Sequence, residues 1–503
     1  MKCWHPVLDS TSSLRAPDAA RRKLLVAAAA GSASLAMAPL LARTTRVEAA
    51  EALAQAAAPH PTDPSGELYD VLRQSTLGAL YQAPAVGGLL SYIGALILPS
   101  AGETPEQMWR KYTDRRITET VFALVKADLE GLTDVSRQYR NAVASQDSPR
   151  ILAECVASNQ QFTALIPRFK LQAEQVTLLP LFVTAATLHL ALLRDMALKG
   201  REIGFTAESV SDFKNELTQR IAAYTHHVDR VVDAAIAKAR RDNPNDGTPE
   251  KRNQPLSAML AEKARLQLEA VDIRDTWYAF DAARYPDRKM VALIREIFSP
   301  IAGWWDLGSR APDEIPDWKT PGLRINRLEY WMRAQWRTRW LSALELHYDR
   351  ADKTLQTGET WGDHDGIDIP TSFWFVSAQT TFSAGVEGMS LKDNLGRIHH
   401  IGREPEGNLS RTFSGYAKHG IQSIRSVGKG RSSGAAKGAI SGLVYGFGLE
   451  EPWPARIQPE AEARVMPVIA PHLRDWVLAP FEQGPLPAEE HVQRLPSMDG
   501  INR

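Results

Sequence analysis

From Val176 to Leu193 the chain reads VTLLPLFVTAATLHLALL, eighteen positions without a formal charge and without a polar face. A helix that is apolar all round belongs inside a large core or inside a bilayer. Wound as an α-helix the stretch is ~27 Å long, against a hydrocarbon thickness of ~30 Å, so length admits either home. Its neighbours are amphipathic. Met108–Ala144 sets Ile117, Val121, Leu124, Val125, Leu129, Leu132, Val135 and Tyr139 at helical spacing. Ser148–Ile166 opens with Pro149 in its first turn, is expected to end at Pro167, and carries a wet face of Glu154, Asn159, Gln160 and Gln161. For the apolar helix, Thr177 is the expected cap, Pro180 falls in the first turn and Gly200 is the stop. Thr206 then caps a helix whose Val210, Phe213, Leu217, Ile221, Tyr224, Val228, Val231 and Ala235 recur by threes and fours. A helix pair over Glu67–Leu98 precedes these elements. A solvated loop, DNPNDGTPE, and a long helix over Leu256–Phe280 follow them. The amphipathic faces suffice to wrap the apolar helix, so the pattern predicts a soluble helical bundle over residues 66–300.

Beyond Pro300 the period changes. Ten of the thirteen tryptophans fall between Trp304 and Trp476, and short alternating runs replace helical spacing. Three segments share a form: Leu323–Tyr330 leading to Ala343–Tyr348, Ser372–Ala378 leading to Gly388–Asp393, and Gly420–Val427 leading to Gly442–Phe447. Their second-strand anchors, Leu344, Met389 and Leu443, stand 45 and 54 residues apart. Such spacing predicts three copies of one sheet unit about an axis, over residues 301–450. Residues 451–503 are Pro-rich and read as an irregular tail. At the other end, Arg21-Arg22-Lys23-Leu24-Leu25 and a weakly hydrophobic run to Leu41 predict a twin-arginine export leader over 1–49, with a turn-rich linker over 50–65.

Lys+Arg and Asp+Glu both number 59, which leaves no basic footprint for nucleic acid or an anionic membrane. Cys3 and Cys155 are too few for a disulfide framework or a cysteine zinc site, and Cys155 in a helical pattern reads as a buried thiol. The glycine- and lysine-rich run Gly428–Gly434 lacks the spacing of a phosphate loop. Asp363–Asp368 carries a calcium-loop flavour, but its glycine comes early and Trp374 stands where the closing glutamate belongs, so a polar turn is expected. The adjacent pairs His226-His227 and His399-His400 point apart on either type of element. No catalytic constellation, metal site or cofactor site follows from these residues. His189 has two readings, a satisfied core histidine or a pH sensor.

Several runs resemble the helical domain of the insecticidal delta-endotoxins, the three-domain Cry toxins. Gln175–Pro180, Ala185–Leu190 and Leu193-Arg194-Asp195 are similar to the family's central helix, with its YQVPLL, AANLHL and LRD pieces. Asn215-Glu216-Leu217-Thr218 with Tyr224-Thr225 resembles the next helix, and Leu129-Glu130-Gly131-Leu132 the third. Leu268, Val271-Asp272-Ile273, Arg284-Tyr285-Pro286 and Leu293–Ile297 resemble the block that leads into the second domain. The resemblance implies a multidomain α and β protein: a bundle of about seven helices around a central hydrophobic one, then a β-prism of three sheets. It implies a secreted pore-forming toxin, a monomer in solution and an oligomer in the target-cell membrane. Glu154, Asn159, Gln160, Leu179, Phe182, Leu188, His189 and Leu192 would serve membrane insertion. A surface receptor or glycan would meet the β domain, for which Trp331, Arg333, Trp336, Lys429 and Arg431 are the candidates, since tryptophan and arginine concentrate at binding hot spots. No block of the family's third domain, a β-sandwich, is present, so that domain is expected to be absent. The competing class is a secreted, non-lytic lectin-like protein, because a β-prism does not fix function.

Overall fold

Wrapping one apolar helix takes several amphipathic ones. The computed structural model describes residues 119–449, apart from 246–252, 287–290, 293–294, 304–313, 319–323, 336–337, 349–352, 371–372, 384, 405–408, 415–418 and 428–437, together with 493–494. The expected leader, linker and first helix pair lie outside the described residues, as does the tail but for 493–494. The helices are α1 (Glu119–Ala144), α2 (Ser148–Leu165), α3 (Leu179–Lys199), α4 (Ala207–Asp242) and α5 (Gln254–Leu266). Every residue of α3 from Leu179 to Ala197 is buried. Val125, Leu129, Leu132, Val135 and Tyr139 of α1 and Leu217, Tyr224, Val228 and Val231 of α4 bury their stripes in the same core. At roughly 1.5–3 kcal/mol for each fully buried large aliphatic or aromatic side chain, this core is the main source of the domain's stability.

Three local expectations are corrected. Thr177 does not cap α3. The chain arrives already coiled, with Leu178 N donating to Glu174 O at 2.8 Å and Leu179 N to Val176 O at 3.4 Å, and Pro180 has no N–H to offer. Pro167 ends α2 as an α-helix, but the coil tightens into a 3₁₀ segment, Ile166–Lys170, rather than stopping. The helix expected over 256–280 is interrupted: a π turn at Gln267–Val271 follows α5, then one α turn at Asp272–Arg274 and a 3₁₀ turn at Trp277–Phe280. Polar anchors hold the irregular part. Trp277 Nε1 donates to Thr187 Oγ1 on α3 at 2.9 Å, and Arg274 pairs with Asp229 on α4 at 3.0 Å. Thr206 does cap α4, accepting from Ser209 N at 3.2 Å. Gly200 does end α3: a Cβ there would lie 2.4 Å from Met196 O and 2.8 Å from Val210 Cγ2.

The strands are β1 (Val291–Ala292), β2 (Glu296–Phe298), β3 (Ala302–Gly303), β4 (Ile325–Gln335), β5 (Thr338–Tyr348), β6 (Thr354–Gly358), β7 (Asp363–Asp368), β8 (Phe375–Phe382), β9 (Val386–Asp393), β10 (Ile398–Gly402), β11 (Leu409–Ser414), β12 (His419–Val427), β13 (Gly442–Leu449) and β14 (Gln493–Arg494). The three expected strand pairs are the antiparallel hairpins β4–β5, β8–β9 and β12–β13. Each is the centre of a sheet. β6 and β7 flank the first, β10 and β11 the second, and β2 and β3 lie along β13 in the third. β1 and β14 form a separate parallel pair. Each of the three sheets touches the other two, and Leu344, Met389 and Leu443 meet in one core. That is the threefold arrangement the spacing predicts. Two details differ from expectation. β2 belongs to the third sheet although it precedes residue 300. Asp363–Asp368 is not a turn but the edge strand β7, because its backbone pairs with β4 from Met332 to Arg327 while its charged side chains stay in water.

Helices and sheets are joined by a smaller apolar cluster. Leu256, Met259 and Leu260 of α5 pack with Phe298, Ile301, Val427 and Val444 of the third sheet. Asn253 Nδ2 donates to Gly303 O at 2.6 Å across the same seam.

Candidate functional site

A histidine inside an apolar helix must find partners or cost free energy. His189 finds two. Its Nδ1 lies 2.8 Å from Tyr224 Oη on α4, and its Nε2 lies 2.7 Å from Asn159 Oδ1 on α2. Phe162 stacks on the ring at 5.4 Å. Asn159 Nδ2 donates to Glu216 Oε2 at 3.3 Å, Glu216 accepts from Arg220 Nε at 3.2 Å, and Arg220 Nη2 reaches Thr163 Oγ1 at 3.4 Å. One polar chain thus ties α2, α3 and α4 at mid-height, and of the two readings of His189 the structure shows the satisfied core histidine. Asn159, expected on the wet face, looks inward. It stands four residues after Cys155 and three before Phe162, both fully buried, so the helical period puts it on their side. Gln160 and Gln161 are exposed and Glu154 is half-buried, accepting from Ser158 Oγ at 3.3 Å. Leu179, Phe182, Leu188 and Leu192 are all within the bundle core.

The segment linking α2 to α3 is cationic and touches aromatic faces. Lys170 Nζ lies 5.0 Å from the centre of the Phe182 ring and 5.3 Å from that of Tyr224. Burial, with Arg220 and Arg230 nearby, lowers its pKa from the ordinary lysine value. His227 stands edge-on to Phe182 at 4.5 Å, and burial with Lys170 and Arg230 brings it down to about 4.

The far end of α3 is clamped by the charged residues that close the apolar run. Arg194 donates to the carbonyls of Phe280 at 2.7 Å, Tyr285 at 2.8 Å and Ala279 at 3.3 Å, and Tyr139 Oη donates to Asp195 Oδ2 at 3.4 Å. Next to this clamp, Asp272 is fully buried and accepts two hydrogen bonds from Arg295, one of them Nε to Oδ1 at 2.9 Å. Arg295 Nη1 also lies 2.7 Å from His419 Nε2 on β12. The end of the bundle and the third sheet are therefore joined by a buried charge pair. Burial pushes the neighbouring Asp275 up to about 6; Asp272 and Asp229 push the same way, against Arg274.

On the β domain, Trp331 is half-buried and stacks on His364 with ring centres 4.6 Å apart. The Arg333 guanidinium lies 5.3 Å from the centre of the Trp361 ring. Trp336, Lys429 and Arg431 lie outside the described residues. Gly438 comes close to this end of the sheet: a Cβ there, at φ +77°, would sit 3.2 Å from Trp361 and 3.6 Å from Arg333 Nη1. Trp361 is 46% exposed, and Leu395 and Ile398, at the β9–β10 turn, are 62% and 56% exposed. Sequence reasoning missed all three. The signal for Trp361 was its place beside Gly362, whose φ of +104° marks a tight turn at a strand entry.

Residues 76–281 match the family described as delta endotoxin, N-terminal domain. The pesticidal crystal protein Cry1Ib of Bacillus thuringiensis subsp. entomocidus is 26% identical over 240 residues, covering 45% of this chain and 32% of that protein. The chain thus spans about a third of that relative's length. Among solved structures, the insecticidal crystal protein Cry7Ca1 of Bacillus thuringiensis is similar with a TM-score of 0.60 at 17% identity, covering 78% of this chain and 76% of that one. PirB is similar with a TM-score of 0.57 at 15% identity, covering 76% of this chain and 95% of that one. At these identities the structures speak for the fold.

Proposed function

We propose that this chain, whose residues 76–281 match the delta-endotoxin N-terminal domain, is a pore-forming toxin whose α2–α3 pair enters the membrane of a target cell. The observation that carries the reading is α3. It is 21 residues long, and among the described residues it is the one helix long and apolar enough to cross a membrane, yet 94% of its apolar window is buried inside the bundle. A helix satisfies its own backbone hydrogen bonds, so it can change a protein surround for lipid without breaking them. The polar chain indicates which pieces move together. Asn159–His189 and Phe162–His189 lie within the α2–α3 pair and survive its departure. His189–Tyr224, Asn159–Glu216 and Arg220–Thr163 join the pair to α4 and must break. In the membrane α3 meets lipid through Leu179, Phe182, Leu188 and Leu192. α2 offers Glu154, Gln160 and Gln161 to a lumen, where polar groups are tolerated. Recognition of a surface receptor falls to the Trp331, Arg333 and Trp361 end of the first sheet, and Trp336, Lys429 and Arg431 remain candidates from the sequence. The reading includes export by the twin-arginine leader and assembly of several copies in the membrane.

The test is release of an entrapped dye from liposomes and from insect midgut brush-border vesicles, by the leaderless protein with and without trypsin treatment. Release is the expected result, with loss on Trp361→Ala in brush-border vesicles but not in receptor-free liposomes. Absence of release from both membranes under both treatments overturns the proposal.

A further inference from the structure

Strand register fixes which side chains share the solvent face of the first sheet. Glu329 on β4 stands directly opposite Glu345 on β5. Two like charges directly opposite destabilise a sheet, so the pair requires a counter-charge. Alternation puts His347 on the same face two residues after Glu345. The pairing of β7 with β4 brings His364 there from the other side. Gly366, opposite Glu329, adds no side chain, and the Arg327 guanidinium lies in that space: a Cβ there would meet Arg327 Nη2 at 2.9 Å.

The distances are those of a ligand set. His347 Nε2 lies 3.7 Å from Glu329 Oε1 and 3.7 Å from Glu345 Oε1, and the three donor atoms all fall within 4.8 Å of one another. His364 Nε2 lies 3.1 Å from Glu329 Oε2. Donors ~2.0–2.2 Å from a tetrahedral zinc ion are themselves about 3.3–3.6 Å apart, close to this spacing. The 3.7 Å contacts are too long for hydrogen bonds. His347 Nε2 is enclosed and has no hydrogen-bond partner among the described residues. Arg327 Nε holds Glu329 Oε1 at 2.8 Å, and its Nη1 holds Asp368 at 2.5 Å, which orients the carboxylate from outside the cluster as an outer-shell partner does.

We propose that Glu329, Glu345 and His347 form a binding site for a divalent transition cation, zinc foremost, with His364 held beside it by Glu329. Mixed imidazole and carboxylate donors suit zinc and disfavour calcium and magnesium, which take oxygen ligands. A bound ion neutralises the opposed glutamates and ties the inner strands β4 and β5 to each other. By fixing Glu329, which contacts His364 at 3.1 Å, it also steadies His364 beneath Trp331, so the ion sets the geometry of one wall of the recognition surface. The cation site stands without the membrane reading, because binding is measured on the free protein in solution.

The experiment is calorimetric titration of the chelator-treated full chain with zinc chloride, alongside the visible spectrum after cobalt(II) loading. The variants are Glu345→Gln, His347→Gln and, as a control on the second sheet, His400→Gln. All three lie on exposed or half-buried faces, and far-ultraviolet circular dichroism checks that each is folded. The expected result is one tight zinc equivalent and a tetrahedral cobalt spectrum in the parent and in His400→Gln. Both are weakened at least about tenfold in the two site variants, the scale seen when a metal's supporting groups are lost. Zinc affinity and stoichiometry that are the same in His347→Gln as in the parent overturn the site and leave His347 as a side chain flanked by two carboxylates.

Discussion

The helical and β domains bury their cores in different ways. In the bundle the centre is one element, α3, apolar on every face and complete in its own hydrogen bonding. In the β domain the centre is assembled from three hairpins, each giving alternate residues, so that Leu344, Met389 and Leu443 meet from three sheets. The first kind of core can be withdrawn as a piece and housed in lipid. The second cannot, since pulling out a strand exposes two rows of unpaired N–H and C=O groups. In the proposed scheme, a protein that is soluble, recognises a surface and then enters a bilayer gains from having one core of each kind, with a firm joint between them.

The joint gives the largest test of that comparison. Asp272→Ala leaves Arg295 buried without its carboxylate and is expected to lower stability by about 3–5 kcal/mol, read from urea unfolding followed by tryptophan fluorescence. Unchanged stability would mean that the domains are energetically independent at this seam. A matched pair of cavities tests the cores themselves. Leu188→Ala and Leu443→Ala should each cost about 3 kcal/mol, with Leu188→Ala releasing dye sooner because the bundle opens more readily, and Leu443→Ala leaving the release rate per folded molecule unchanged. Equal acceleration by both would erase the distinction. The smallest effect is pH-dependent. Asp275 is raised in the folded state to about 6, so its contribution to stability is full below the unfolded carboxyl value, near 4, and is lost as pH rises through about 6. Asp275→Asn should therefore stabilise the protein by ~3 kcal/mol above pH 7 and change little below pH 4. Melting curves across that range are the measurement.

Much of the fold is legible in the residue pattern. Eighteen positions without a charge, Val176 to Leu193, announce α3, and the small-residue entries before Leu344, Met389 and Leu443 announce the second strand of each hairpin. What the pattern hides depends on neighbours distant in sequence. Asn159 looks like a wet-face residue until His189, thirty residues on, is placed beside it. The polar spelling of Asp363–Asp368 conceals an edge strand, because one side of such a strand faces water whatever its backbone pairs with. The pairing of Glu345 with Glu329 is a fact of strand register, and with His347 it escapes any search for ligands by spacing along the chain. Trp361 was overlooked because its exposure rests on the turn at Gly362 and the approach of Gly438.

The π turn at Gln267–Val271 has a consequence for how the chain keeps its count. A π turn is an α turn holding one residue more, and one residue of helix is about 100° of rotation. The bundle reads the chain through Leu266 and Ala270; the joint reads it from Asp272. Between them the π turn acts as a vernier, letting the helix meet two surfaces whose angular settings differ by a fraction of a turn. Removing one residue there would leave a regular helix in place and yet swing the Asp272 carboxylate away from Arg295. The register of the two domains is thus stored in five residues that touch neither a membrane nor a receptor in the proposed scheme.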